Sequence, residues 1–388
     1  MVLVYHFIYV IRIDWLHWSV ISNSYLFVDF FFALSGFVVC HAYRRRLGSA
    51  RQVGGFLLRR AGRLWPLHLA VLFVFMLAIM AINAGGYHPD SLLISADAGN
   101  YSLASLLLNA ALLNSMGFYG MAWNGPAWSI GAEFYTYALF AGVVLLAGTR
   151  RLVPVALVLS LAAMVVLLIV APTYMNSTAD YGFLRCIAGF FAGVAVHRAH
   201  EKLRGLDLPF ATAWEIAALA LVGLFVAAAG TGPDEVRPFS VLAPAVFGLA
   251  ILVFARDAGV LSALLRAAPL RALGRWSYSI YLIHMPLLVM LGYGLWLYGE
   301  ENGVAMREPI AVLGHMKNLY DLGDPWLATA LLVGFVVLIV ALAALSFRLI
   351  EVPWRDHIGR LARNHEAGGR AYAPLPPRSV LAAMRQSR

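Results

Sequence analysis

The 388-residue sequence predicts an all-α protein, a polytopic transmembrane helical bundle of about ten spans with both termini cytoplasmic. Three observations predict it. Hydrophobic residues make up 61% of the chain and charged residues 13%, against about 45–50% and about 25% in a soluble domain. The apolar residues form long continuous runs, not the alternation of an outer-membrane barrel strand. The basic residues concentrate on one side of those runs. Together these exclude an ordinary soluble enzyme and a disordered chain.

A spanning helix needs about 20 mostly apolar residues. The first apolar stretch, 1–13, is short: at about 1.5 Å per residue it covers about 20 Å of a core about 30 Å thick. Nine fuller segments follow, at 25–41, 64–84, 127–148, 152–171, 181–197, 213–229, 239–255, 277–298 and 326–350.

Charge sets the orientation. Arg44, Arg45, Arg46, Arg51, Arg59, Arg60 and Arg63 crowd the loop after the second span, and 24 of the 29 lysines and arginines fall on that same side. By the positive-inside rule this side is cytoplasmic. Asp90, Asp97, Asp180, Asp234, Glu300, Glu301, Glu308, Asp321 and Asp324 lie opposite. The largest outer loops are 85–126 and 299–325. Within the first, 101–114 is apolar but too short to span, and reads as an interfacial or re-entrant helix. The membrane domain is 1–355. Residues 356–388 form a basic tail with Pro374, Pro376 and Pro377 that reads as disordered. The net charge of +9 fits loop anchoring and calls for no nucleic acid. Cys40 and Cys186 alone exclude a disulfide framework and a cysteine metal cluster.

Ionisable groups inside a bilayer are costly and are functional candidates by default. Here they are His6, Asp29, Glu133, Arg185 and His284. Ser129, Glu133, Thr136 and Tyr137 share one helical face. Glu133 reads either as a catalytic carboxylate or as a structural one tied to a buried Arg or Tyr. His6 and Asp29 fall near its depth, so an imidazole and two carboxylates are expected to meet in the outer third of the bilayer, with the imidazole as general base. His284 shares a face with Ser277 and Tyr281, falls in the inner half, and reads as structural or substrate-positioning. No ligand cluster predicts a metal. Arg59, Arg60 and Arg63 are spaced to crowd one face at the cytoplasmic mouth, where a phosphate would relieve their repulsion; the alternative is a topology anchor.

Seven stretches in order, over almost the whole chain, resemble the acyltransferase-3 family of membrane O-acyltransferases. They are Val4-Tyr5-His6-Phe7, the run from Asp29 to Phe37, the run from Arg59 to Pro66, the run from Trp128 to Tyr135, the run from Arg185 to Gly193, the run from Ser277 to His284, and Glu351-Val352-Pro353. The resemblance implies a ten-helix bundle in a bacterial inner membrane. It implies transfer of an acyl group, often acetyl, from cytoplasmic acyl-CoA to a hydroxyl of a glycan or lipid-linked acceptor, with no permanently bound cofactor. His6 matches the family's histidine base, and Arg59, Arg60 and Arg63 its basic donor motif. Asp29 or Glu133 would orient the base. Ser35, Trp128, Ser129, Tyr281 and His284 come with the same motifs as substrate contacts. The family's histidine follows an arginine by eleven residues, a position upstream of Met1; either the start site lies further upstream, which is the expectation because every other motif is intact, or the copy is degenerate and inactive. A transporter or flippase of an anionic glycan or lipid is the alternative; it predicts related inverted halves, which the sequence lacks. A non-catalytic scaffold is the third reading.

Overall fold

The computed structural model describes residues 1–86, 88–92, 94, 101–118, 123–206 and 209–368. Its helices are α1 (Val2–Ile8), α2 (Ser19–Ser22), α3 (Phe27–Tyr43), α4 (Ala50–Ala84), α5 (Leu103–Ala110), α6 (Ala127–Val170), α7 (Gly182–Leu203), α8 (Ala211–Ala228), α9 (Ala243–Phe254), α10 (Val260–Leu265), α11 (Ala268–Asn302), α12 (Pro325–Ser346) and α13 (Val352–Glu366). Six described helices are long and apolar enough to cross a membrane, as fits a multi-pass membrane protein. Helix occupies each of the ten expected segments at least in part. Two of them lie in α6, which breaks at Gly148 (φ 68°, ψ 175°) between its two apolar arms. One end of the bundle carries the arginine-rich loops; the other carries two antiparallel pairs, β1 (Gly230–Gly232) with β2 (Glu235–Val236) and β3 (Arg307–Val312) with β4 (His315–Tyr320).

Local chemistry sets several helix ends. Ser49 caps α4 by accepting from Gln52 N, and Asp324 caps α12 by accepting from Trp326 N, with Pro325 at the first helical position. Gly303, at φ 63°, ends α11. The backbones of α3 and α7 approach closely. A Cβ on Gly193 would lie 1.9 Å from the Ala33 carbonyl oxygen, and one on Gly36 1.9 Å from that of Phe190. Small residues let the two backbones touch, which is how helices pack without a hydrophobic drive between them.

Two expectations need correction. The first helix does not run over 1–13: it ends at Ile8, and the chain then pairs with β4, with Tyr320 N donating to Val10 O and Arg12 N to Tyr320 O, both at 2.9 Å. Those bonds satisfy backbone groups that a longer helix would have satisfied internally. Within loop 299–325, residues 307–320 fold into the β3–β4 hairpin. The tail is not disordered from 356: α13 continues to Glu366, its Ile358 packed where Gly62 of α4 leaves space. Residues 369–388 lie outside the described residues.

Segment 101–114 enters the bundle as α5. A Ser102–Ser105 capping box starts it. Its other end is held by side chains of the long helices: Trp65 Nε1 donates to Ala110 O at 3.0 Å, His68 Nε2 to Asn109 O at 2.8 Å, and Tyr135 Oη to Ala111 O at 3.0 Å. A helix end away from water needs such partners for its free carbonyls.

Candidate active site

The centre of the site is a histidine pair. His6 of α1 and His284 of α11 lie with Nδ1 of the first 2.9 Å from Nε2 of the second. His284 Nδ1 is 3.3 Å from the Ile280 carbonyl, one turn back. A carbonyl can only accept, so His284 carries its proton on Nδ1 and offers a bare Nε2. His6 must then donate from Nδ1, which leaves the lone pair on its Nε2. Among the described residues the side-chain hydrogen bond of His6 is made through Nδ1, and its ring also meets the Val2 carbonyl one turn back. An imidazole held in this tautomer has the form a general base requires.

This partner differs from the expected one. The sequence placed His284 in the inner half of its span and gave it a structural or substrate role. α11 is 35 residues long and extends past the predicted span at both ends, with His284 near its middle. His284 is 1% exposed and reaches the His6 imidazole.

Asp29 does not join His6. It is fully buried in a two-pronged ion pair with Arg185, Nε to Oδ1 at 2.9 Å and Nη2 to Oδ2 at 2.8 Å. Arg185 also donates to the carbonyls of Ser177 at 3.0 Å and Tyr25 at 2.8 Å. Its guanidinium lies 5.2 Å over the ring of Trp128. Both oxygens of Asp29 are therefore spent on tying α3 to α7. Trp128, expected to touch substrate, is 4% exposed and packs against this ion pair.

Glu133 takes the structural alternative in part. Tyr137, one turn on, donates to Glu133 Oε1 at 2.5 Å, and Ser35 of α3 is 2.9 Å from the Tyr137 hydroxyl. Ser129, one turn earlier on the same face, donates to Tyr281 Oη at 2.9 Å, and the Tyr281 ring stands 5.7 Å from that of His284. The sequence-predicted stripe thus forms, joining the histidine pair through Tyr281 to Ser129 and running on to Glu133 and Tyr137. No hydrogen bond joins either carboxylate to His6 among the described residues.

The three arginines separate. Arg59 pairs with Glu366 of α13 at 2.6 Å. Arg60 sits among the rings of Tyr43, Phe56 and Tyr137 at 5.0, 5.4 and 5.2 Å. Arg63 is exposed. Mutual repulsion is thus relieved for two of them within the chain itself. Arg60 also connects the arginine-rich end to the Glu133–Tyr137 pair.

Several buried polar groups were not among the membrane-embedded ionisable residues read from the sequence, although Glu351 stood in a motif. His68 and Glu215 are buried within apolar runs. Glu215 accepts from the backbone N–H of Gly259, Leu261 and Ser262 and from the Ser262 hydroxyl, so it caps α10. Glu351, 8% exposed at the end of a π-helical turn, accepts from Ser279 of α11. Their sequence signal was the ionisable residue within an apolar segment. No group of three or more metal-ligating side chains that could hold an ion occurs among the described residues.

The comparisons decide the family. An acyltransferase-domain profile, that of acyltransferase family 3, matches residues 1–345. The chain belongs to the acyltransferase-3 family. Among curated relatives, this acyltransferase-3 chain is 27% identical over 306 residues to "Acyltransferase MdmB" of Streptomyces mycarofaciens, covering 74% of this chain and 73% of that one. It is 34% identical over 129 residues to "Protein 2 in picA locus" of Rhizobium radiobacter, covering 31% of this chain and 66% of the relative, just under two thirds. No solved structure matches.

Proposed function

We propose that this acyltransferase-3 chain is a multi-pass inner-membrane O-acyltransferase that moves an acyl group, often acetyl, from cytoplasmic acyl-CoA to a hydroxyl of a saccharide-type acceptor. The observation that carries the reading is the ordered histidine pair, in which His6 donates from Nδ1 and keeps its lone pair on Nε2. That nitrogen takes the hydroxyl proton as the acceptor oxygen attacks the thioester carbonyl carbon. The new C–O bond forms, the C–S bond breaks, and the proton passes from His6 to the leaving sulfur. The products are an ester and free CoA thiol. His284 holds the His6 ring and shares the positive charge that forms on it. Membership of the family and the likeness to Acyltransferase MdmB support acyl transfer.

On the donor side, Arg63 is the exposed one of the three motif arginines and the best placed of them to bind a CoA phosphate. Arg60, stacked among aromatic rings, and Arg59, held by Glu366, frame that entrance. Asp29 and Arg185 act in this reading as the clamp that fixes α3 against α7.

The test uses purified protein in nanodiscs with radiolabelled acetyl-CoA and a set of methyl glycosides of glucose, galactose, mannose and rhamnose. The expected result is label in an alkali-labile ester on a glycoside and stoichiometric release of CoA thiol. No binding of acetyl-CoA and no label on any glycoside would overturn the reading.

A further inference from the structure

A line of aromatic rings leads from the hairpin end of the bundle to the histidine pair. The rings of Tyr9 and Tyr5 are 5.0 Å apart, and Tyr5 stands 5.0 Å from His6. Tyr25 flanks Tyr5 at 6.2 Å. Tyr25 is 5% exposed, and its hydroxyl has no hydrogen-bond partner among the described residues. A buried hydroxyl without a partner is costly unless something outside the chain satisfies it. The tyrosines combine flat apolar faces with polar tips. That combination suits a sugar ring, which has an apolar C–H face and a rim of hydroxyls.

The hairpin crosses the outer end of this line. At its base, β4 is fastened to the chain after α1 through the Val10, Arg12 and Tyr320 backbone bonds and by the Arg12–Asp321 ion pair at 2.7 Å. Further along, Lys317 lies 5.7 Å over the Tyr9 ring and pairs with Asp234 at 2.5 Å. Near the tip, His315 is 3.2 Å from the Thr231 hydroxyl. The strand pair β1–β2 closes on the same ring: a Cβ on Gly232 would be 2.5 Å from the Tyr9 hydroxyl. The hairpin is thus firmly tied at one end and latched at the other by exchangeable polar contacts. A ring stacking on the face that Lys317 covers must first displace Lys317.

We infer that the acceptor saccharide reaches His6 from the hairpin end along a platform of Tyr9 and Tyr5, beneath the β3–β4 hairpin acting as a strap. This rests on the acyl-transfer reading above and adds the acceptor's site and its route to His6. The Tyr25 hydroxyl supplies the buried contact to a sugar hydroxyl beside His6. Asp234 and Lys317, once parted, become polar rim groups for the same ligand.

The experiment measures acetyl transfer from radiolabelled acetyl-CoA to the methyl glycosides in nanodiscs. Tyr5→Leu and Tyr9→Leu remove the stacking face and should each raise the acceptor KM about tenfold, with acetyl-CoA binding unchanged. Tyr9→Phe, which keeps the ring, should rescue most of the loss. In a second arm, cysteines at Lys317 and Asp234 are joined by a thiol-cleavable linker. Joining should stop transfer without weakening acetyl-CoA binding, and cleaving the linker should restore it. Wild-type protein that labels no glycoside would sink the acyl-transfer reading and the platform with it. Labelling by wild type with an unchanged acceptor KM in both leucine variants would overturn the platform alone. Full transfer by the linked protein would overturn the strap.

Discussion

His6 Nδ1 and His284 Nε2 lie 2.9 Å apart and join the first helix of the chain to α11 across 278 positions of sequence. The Ile280 carbonyl fixes the tautomer of His284, and that in turn fixes His6. In the proposed mechanism an imidazole does the orienting that the sequence assigned to a carboxylate. A neutral partner stabilises the His6 cation less than a carboxylate would, but its burial inside the bundle costs less.

The first prediction concerns that partner. His284→Ala should lower kcat by about 10²–10⁴, the usual worth of a positioned base, and leave the affinity for acetyl-CoA unchanged. His284→Gln, whose side-chain carbonyl can accept from His6 Nδ1, should recover part of the loss. Steady-state kinetics on the two variants would separate an orienting residue from a merely structural one. Equal loss in both would count against the tautomer relay.

Asp29 and Arg185 should behave as structure. Removing one partner of a buried ion pair costs about 3–5 kcal/mol. Asp29→Ala should therefore lower the melting temperature in detergent and the amount of folded protein. Asp29→Leu combined with Arg185→Leu should be less destabilised than either single change. A well-folded, inactive Asp29→Ala protein would restore Asp29 to the catalytic group.

The contact of α3 with α7 is equally testable. Gly193→Ala places a methyl 1.9 Å from the Ala33 carbonyl oxygen. Overpacking of this kind costs about 1–3 kcal/mol, and here the obstacle is backbone. Thermal unfolding should show the loss. Gly223→Ala, with open space at its Cβ, should leave stability unchanged.

The arginines should differ from one another. Arg63→Ala removes a charged hydrogen bond to a phosphate, worth about 1.5–3 kcal/mol, and should raise the KM for acetyl-CoA roughly ten- to hundredfold. Arg59→Ala breaks the pair with Glu366 and should have a smaller effect on that KM. Titration of acetyl-CoA against each variant decides it. Equal effects would mean that the arginines act as one cluster.

Much of this was legible in the sequence, for identifiable reasons. The long helices could be read because lipid demands apolar runs about 20 residues long. The stripe of Ser129, Glu133 and Tyr137 followed from helical spacing alone. The ring of contacts around Asp29 did not, although Arg185 was visible as its natural counter-charge; the two are separated by 156 positions, and periodicity carries no long-range pairing. The meeting of His284 with His6 was not legible either, because 278 positions separate them. The β3–β4 hairpin was missed because its strands are short and only half apolar, although Leu313-Gly314, at φ 48° and 90°, is a turn signal. The division of labour among Arg59, Arg60 and Arg63 depended on Glu366 and Tyr137, which local spacing does not bring near.

The most direct test is His6→Gln in nanodiscs, measuring radiolabelled acetyl-CoA binding and acetyl transfer on the same preparation. Glutamine can still hydrogen-bond His284 but has no basic nitrogen. The account predicts acetyl-CoA binding within about twofold of wild type and transfer reduced by about 10³-fold or more. Transfer retained at near wild-type rate would show that His6 only positions the acceptor, and would contradict the central claim.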